Sequence, residues 1–406
     1  MKRAHILTLT LIIIILAASA SLLVSYTQSD NSSQQTDPVY VGVAYGGNST
    51  AQAKLIIDKT KTYTNLFILN SGVNRISQNE TASKEICDYA INSGLNLIVN
   101  MGSWDTYDWD RRMQFFNYCK NAYGDRFLGA YFDDEPAGIH IDNNWTEYFD
   151  RNRHLYFGES LRKIYNNLQQ ANGTNPQNYT LEATWFNALL EWNPGHNQLK
   201  ENQIRTFTSD YVLFWYDYLG GYNTVFAQIG WNHSLNQDIA QIRGAATMQN
   251  KDWGAIITWK YDEPPYLDTG ENIYSQMKSV YNAGAKYILI FDLAFDDEND
   301  NPYGTMTEEH FEALEKFWTQ DLTRSTPNAV KAQAAFVLPK DYGWAMRHED
   351  DKIWGFWGPD EKSPIIWKNL NKLLDQYGSR LDIIYEDPAF PIQGKYPKVY
   401  YWNQTI

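Results

Sequence analysis

Carboxylic acids follow directly on two of the most strand-like segments of the chain. The apolar segment "FLGAYF" runs into "DDE", which ends in Glu135, and "WGAIITW" runs into "KYDE", which ends in Glu263. Like charges crowded at the end of a strand raise the pKa of at least one of the acids. Two carboxyl groups of different pKa can cleave a glycosidic bond, because one donates a proton and the other attacks the anomeric carbon. Glu135 and Glu263 are therefore our candidates for such a pair.

Both candidates also have a simple structural interpretation. Asp134 and Glu135 could cap a short helix after the strand, where acids favour the positive end of the helix dipole. Glu263 could lie on a surface turn fixed by Pro264 and Pro265.

Ten further residues are candidates for contact with a substrate. Each carries a ring or a charge near the end of a strand-like segment, and aromatic rings can stack on sugar faces. Glu182 falls inside such a segment, where an inward carboxylate would need either a function or an ion pair, with Lys260 as its expected partner. The tryptophans could equally be packing residues. The ten are Asp133, Asp134, Trp104, Glu182, Trp185, Trp215, Tyr216, Trp259, Lys260 and Asp292.

These candidates are spread over eight strand-like segments that alternate with helical ones. The predicted strands are "VYVGVAY", "NLFILN", "LNLIVN", "FLGAYF", "YTLEATW", "DYVLFWY", "WGAIITW" and "KYILIFD". The predicted helices cover about 51–61, 83–93, 109–123, 157–171, 198–207, 239–249, 273–283 and 308–319. Nearly continuous apolar strands need helices on both faces of a parallel sheet.

The count of eight predicts an α/β fold, a (β/α)8 TIM barrel over residues 38–326. An open doubly wound sheet is the alternative, but "AYGGNST" after the first strand is a poor match to its phosphate-binding turn. In a barrel the functional face lies at the carboxyl ends of the strands, where the acids accumulate. On the fourth strand, alternation directs Tyr131, Asp133 and Glu135 to the barrel axis and Leu128 to the helices.

The sequence pattern of residues 327–406 predicts a small α/β appendage after the barrel. "AAFVLP", "RLDIIYED" and "KVYYWN" are strand-like, and "SPIIWKNLNKLLDQYG" is an amphipathic helix with proline near its start.

Composition and net charge exclude some classes of binding partner. The chain has 406 residues and a net charge of −14, which argues against a nucleic-acid partner. We expect no cofactor and no metal site, since the histidines have no metal-ligand spacing and the two cysteines, Cys87 and Cys119, could at most form a disulfide. The acidic run 296–304 lacks the central glycine of a calcium loop.

The N-terminus predicts export. Lys2 and Arg3 precede an uncharged apolar run over 6–24, so residues 1–25 are a cleaved signal peptide or a retained membrane anchor, and 26–37 a flexible tether. Glycosylation acceptor sequences support an extracellular or cell-surface glycoprotein, although an Asn- and Thr-rich composition could produce them by chance. They begin at Asn31, Asn48, Asn79, Asn144, Asn172, Asn178, Asn232 and Asn403.

Acids after the fourth and seventh strands of such a barrel resemble the large clan of retaining glycoside hydrolases. The resemblance implies Glu135 as the acid/base and Glu263 as the nucleophile. Asp134 stands where that clan has asparagine. The tail, from "AAFVLP" to "KVYYWN", resembles the start of the amidotransferase-like trimerisation domain of a microbial β-galactosidase family. That resemblance implies an oligomer. The tail contains no cysteine, so the resemblance does not extend to amidotransferase chemistry.

The sequence thus predicts an exported glycoside hydrolase acting on an oligo- or polysaccharide. The alternative is a catalytically inactive barrel that binds carbohydrate at the cell surface, since a barrel can lose a carboxylate and keep its aromatic cleft.

Overall fold

Eight parallel strands close into a barrel, with the eighth strand hydrogen-bonded to the first. The computed structural model describes residues 38–70, 75–102, 109–142, 178–293, 301–323 and 330–406. The strands are β1 Tyr40–Tyr45, β2 Leu66–Asn70, β3 Asn96–Asn100, β4 Phe127–Tyr131, β5 Thr206–Asp210, β6 Thr224–Ile229, β7 Asp252–Ile257 and β8 Tyr287–Asp292. The prediction of a (β/α)8 TIM barrel is confirmed.

Helices connect the strands. They are α1 Thr50–Thr60, α2 Arg75–Gln78, α3 Glu80–Asn92, α4 Trp109–Tyr123, α5 Pro136–Asp142, α6 Tyr179–Glu191, α7 Pro194–Glu201, α8 Phe214–Leu219, α9 Leu235–Gln249, α10 Gly270–Asn282, α11 Glu308–Phe317 and, in the tail, α12 Ser363–Tyr377. Polar side chains cap several of them; Ser49, for example, accepts a hydrogen bond from Gln52 N at the start of α1. The predicted helix over 157–171 lies outside the described residues.

Strand alternation divides the apolar side chains between two layers. Side chains such as Ile68, Phe207 and Leu289 fill the barrel interior, and their neighbours along each strand pack against the helices. β4 departs from strict alternation, because a register shift against β3 leaves Leu128 as an extra residue. Tyr131 points into the barrel as predicted, but Leu128 also packs against the interior, so the prediction that it faces the helices was wrong.

The predicted fifth and sixth strands were wrong. "YTLEATW" lies in α6, and "DYVLFWY" covers the end of β5, a loop and part of α8. The true β5 has the sequence "TFTSD", which is polar although every residue in it is buried. Its polar side chains form hydrogen bonds inside the protein. Thr206 Oγ1 lies 3.1 Å from His196 Nε2, and Thr208 Oγ1 donates to Asp133 O at 2.7 Å. Hydrophobic periodicity cannot reveal a strand of this kind.

The tail forms a parallel three-stranded sheet covered by α12. Its strands are β9 Ala334–Leu338, β10 Leu381–Tyr385 and β11 Lys398–Tyr401, in the order β10-β9-β11. α9 of the barrel packs on β10; a Cβ at Gly244 would lie only 2.3 Å from Ile383 O, so the helix needs glycine there. Val39–Ile406 accordingly form one compact unit. The predicted domain boundary near residue 326 stays a prediction.

Two further sequence predictions concern the cysteines and a membrane-spanning segment. Cys87 on α3 and Cys119 on α4 are buried free thiols. No helix in the described part of the chain is long and apolar enough to span a bilayer, and the apolar run 6–24 lies outside that part.

Candidate active site

The turn after β4 holds its acids in an unusual backbone conformation. Asp133 and Glu135 have φ angles of 51° and 53°, in the left-handed region that few residues other than glycine adopt. Backbone hydrogen bonds to β5 hold the turn in place, from Phe132 N to Phe207 O at 2.8 Å and from Glu135 N to Ser209 O at 2.9 Å. Conformations of this kind persist where the surrounding structure over-determines them, and they concentrate at functional sites.

The Glu135 carboxyl is held by a side chain from β6. Gln228 Nε2 donates to Glu135 Oε1 at 2.7 Å. Burial raises the pKa of Glu135 to about 7, and the neighbouring charge of Asp134 adds to that rise against the opposing hydrogen bond from Gln228. A carboxyl with a pKa near neutrality is still protonated in much of the protein at neutral pH, as a general acid must be.

A chain of hydrogen bonds orients Gln228 itself. Gln228 Nε2 also donates to Ser209 Oγ at 2.9 Å, and Ser209 Oγ donates to Asp134 Oδ1 at 3.0 Å. The Tyr131 hydroxyl donates to the same Asp134 oxygen. Asp134 is exposed as a residue, but this oxygen faces the buried Tyr131 and Ser209. Burial raises the pKa of Asp134, and the two donated hydrogen bonds oppose that rise. In its ionised form Asp134 helps to keep Glu135 protonated.

Asp210, at the end of β5, fixes the helix that follows Glu135. Its carboxylate accepts hydrogen bonds from Ala137 N at 2.7 Å and Gly138 N at 3.0 Å in the first turn of α5. Burial, followed by the charge of Glu135, raises the pKa of Asp210. Ser209, Asp210 and Gln228 are not among the residues predicted from the sequence, because the fifth and sixth strands were predicted elsewhere in the chain.

Glu182 has neither the position nor the partner that the sequence predicts. It lies on α6, fully buried, with its Oε1 atom 3.0 Å from His140 Nε2. Lys260 instead forms an ion pair with Asp268 Oδ2 at 2.8 Å. The segment was predicted as a strand because its residue types also fit a strand pattern. In the structure Glu182, Ala183 and Phe186 are buried at the spacing of a helix.

Three predicted aromatic candidates lie on helices rather than at strand ends. Trp185 is partly buried on α6, and Trp215 and Tyr216 are buried on α8. The rings of Trp215 and Tyr216 pack against Tyr385 of the tail at 5.6 and 5.1 Å. The strand-end positions predicted for them were wrong, and their burial against the tail indicates packing. Trp104 lies outside the described residues.

The residues predicted after β7 do follow that strand. Trp259 and Lys260 are partly buried, and Glu263 is exposed on the turn that Tyr266 N closes by donating to Glu263 O at 2.9 Å. The structure therefore places Glu135 and Glu263 after β4 and β7, at the carboxyl ends of the strands, in different surroundings. The catalytic role of the pair stays a prediction.

Asp292 ends β8, as predicted, and is fully buried. Its Oδ1 atom accepts hydrogen bonds from Met306 N at 3.0 Å and Thr305 Oγ1 at 3.2 Å. Its Oδ2 atom is buried without a hydrogen-bond partner among the described residues. Burial raises the pKa of Asp292 to about 7, against the hydrogen bonds from Met306 and Thr305, so burial favours the neutral carboxyl.

We expect Asp292→Asn to stabilise the protein at pH 8 and to have little effect at pH 4. The folded-state pKa is raised from 3.8 to about 7, so the carboxyl loses stability as the pH rises through that window. An amide keeps the acceptor and removes the charge; the gain is at most about 4 kcal/mol. Urea unfolding at both pH values measures it, with the exposed Asp375→Asn as control. A less stable variant at pH 8 would show that the ionised carboxylate is the stabilising form.

The described residues contain no group of three His, Cys, Asp or Glu side chains arranged to hold a metal ion. Most of the acidic run 296–304 lies outside them.

Comparison with known proteins bears on the fold. No family model matches the sequence, and no curated protein matches it at a significant level. Among solved structures, a β-galactosidase from the Antarctic haloarchaeon Halorubrum lacusprofundi is similar with a TM-score of 0.54 and 11% identity, over 89% of this chain and 68% of that one. A GH5_18 protein from Streptomyces cattleya, in complex with GlcNAc, has a TM-score of 0.51 and 11% identity, over 90% of this chain and 98% of that one. At this identity the likeness shows the barrel fold.

Proposed function

We propose that the protein hydrolyses O-glycosidic bonds, with Glu135 as the proton donor. The observation that carries the proposal is the Glu135 carboxyl at the end of β4, largely buried, held by Gln228 and with its pKa raised to about 7. The (β/α)8 barrel supports it, because barrel enzymes place their chemistry at the carboxyl ends of the strands. The similarity of the fold to a β-galactosidase and to a GlcNAc-binding GH5_18 protein supports carbohydrate as the substrate class.

Gln228 decides which oxygen of Glu135 carries the proton. Its amide donates to Oε1, so the proton of the neutral carboxyl resides on Oε2. Oε2 can then protonate the glycosidic oxygen while the bond to the anomeric carbon breaks. The carboxylate that remains can take a proton from the water that completes hydrolysis.

Glu263 is our proposed nucleophile, which makes the reaction retaining. What supports it is its place on the turn after β7, together with the retaining clan that the sequence resembles. Retention requires the two carboxyl groups about 5–5.5 Å apart when substrate is bound.

Export to the cell surface belongs to the same proposal. Its support is the basic, then apolar N-terminus, with residues 6–24 as signal or anchor, and the acceptor sequences for glycosylation. An oligomer is supported by the resemblance of the tail alone.

One observation favours a second candidate, a barrel that binds carbohydrate without cleaving it. β7 continues into Thr258, Trp259 and Lys260 without a carboxylate, and Glu263 beyond them is exposed. A nucleophile normally lies in a more enclosed site.

Hydrolysis of a glycan panel separates the two candidates. The full-length chain in detergent is incubated with β-galactosides, β-mannosides and GlcNAc-containing oligosaccharides, and the products are followed by NMR. We expect cleavage of at least one class, with a rate that falls above about pH 7 as Glu135 loses its proton. A first product of retained configuration supports Glu263, and an inverted one removes it. Binding without cleavage supports the second candidate, and neither binding nor cleavage contradicts both.

A further inference from the structure

Two exposed aromatic side chains lie on the loops that follow β6 and β7. Trp231 is 37% exposed and Tyr261 is 42% exposed. The ring of Trp231 lies 6.1 Å from that of Trp259, and Trp259 in turn lies 5.3 Å from Tyr266. The two loops thus present neighbouring rings at the carboxyl ends of the strands, the end at which Glu135 also lies.

The backbone under these rings is held firmly. Trp231 N donates to Trp259 O at 2.8 Å, and Thr258 N donates to Ile229 O at 2.9 Å, so the pairing of β6 and β7 continues into the loops. A Cβ on Gly230 would lie 2.3 Å from Trp259 O, so glycine is required for this close approach. Rings on such a backbone are pre-organised for a ligand.

The backbone at Trp231 is also strained. Trp231 and Asn232 have φ angles of 51° and 60°, and Tyr266 has a φ angle of 57°. The left-handed region is unfavourable for bulky residues, and Trp231 adopts it although 37% of its surface stays exposed. Backbone strain of this kind concentrates at binding and active sites.

Trp231 is close in sequence to Gln228, the residue that contacts the proposed proton donor. It comes three residues after Gln228, whose amide contacts Glu135 Oε1 at 2.7 Å. Three residues span no more than about 11 Å even when fully extended, so the Trp231 backbone lies within that distance of the Gln228 backbone.

We propose that Trp231 and Trp259 form a binding site for one pyranose ring of an oligosaccharide, at the same end of the barrel as Glu135. This inference rests on the proposed carbohydrate substrate and not on cleavage. Flat rings stack on the C–H face of a sugar, while its hydroxyl groups stay in contact with water or polar side chains. The net charge of −14 disfavours an anionic ligand for the same rings. Trp259 is among the substrate-contact residues predicted from the sequence, and Trp231 is not.

Binding to the full-length Glu135→Gln chain tests the site without turnover. The probes are chitotetraose, β-1,4-mannotetraose and β-1,4-galactotetraose, followed by calorimetry. We expect Trp231→Ala to weaken the binding of at least one probe about tenfold, the equivalent of one stacking contact, and Trp231→Phe to retain most of the affinity. Trp192→Ala, at a tryptophan that is 68% exposed at the end of α6, is the control and should leave binding unchanged.

Trp231→Gly distinguishes binding from a structural role. Glycine relieves the strain at a positive φ, so we expect this variant to lose affinity while its thermal midpoint is equal to or above that of the parent. A lowered midpoint together with unchanged affinity overturns the proposal, as does failure of all three probes to bind. If the probes bind but the wild type cleaves nothing, the sugar site is supported and the hydrolase proposal fails on its own.

Discussion

Glu135→Gln is expected to lower the rate of glycoside cleavage by about 10²- to 10⁴-fold, which is the usual contribution of a general acid. Glutamine keeps the volume of the side chain and can still face Gln228, but it has no carboxyl proton to give to the leaving oxygen. Because the substitution also removes a carboxyl whose pKa is raised mainly by burial, we expect the thermal midpoint at pH 8 to be unchanged or higher.

Steady-state rates between pH 4 and pH 9 measure the effect. The wild type should lose activity above about pH 7, and the residual activity of the variant should lack that decline. Glu201→Gln, at the exposed end of α7, is the matched control with the same chemical change. Equal rates for wild type and Glu135→Gln would remove Glu135 from the mechanism. Glu263→Gln should be equally inactive if Glu263 is the nucleophile.

Arg243→Met is expected to destabilise the protein by about 3–5 kcal/mol, as when one partner of a buried ion pair is lost. Arg243 on α9 binds Asp382 on β10, with Nε 2.7 Å from Oδ1, and both side chains are almost fully buried. Its NH2 group also donates to Leu381 O at 3.0 Å. Burial raises the pKa of Asp382, and the Arg243 charge opposes that rise. Methionine would leave the Asp382 carboxyl buried without its cation.

Urea unfolding at pH 7 measures this loss of stability. Two further variants show whether it comes from the uncompensated charge. Lys54→Met removes the cation of the exposed Lys54–Glu85 pair and should cost less than about 1 kcal/mol. Adding Asp382→Asn to Arg243→Met removes the uncompensated charge and keeps an acceptor for the Tyr396 hydroxyl, so it should restore part of the stability. A loss as small as that of Lys54→Met would mean that the pair does not hold the tail to the barrel.

The amino-acid sequence alone was enough to predict the barrel, because six of the eight predicted strands coincide with apolar strands of the structure and alternate with helices. It also predicted the four elements of the tail and the position of Glu135, since "FLGAYFDDEP" is a buried strand followed by acids and a proline. These features are local. Side-chain period, propensity and turn residues each act over a few neighbouring residues, so they can be found without a partner strand.

The residues that surround Glu135 could not be predicted, because they come together only when the barrel closes. β5 is a polar strand that is stable because its hydroxyl and carboxyl groups find partners such as Tyr131, Asp133 O and the first turn of α5. Gln228 meets Glu135 across 93 positions of sequence, and His140 takes the place expected of Lys260 beside Glu182. A buried polar group is stabilised only by the group it faces, and which group that is depends on the closed barrel rather than on neighbours in the chain.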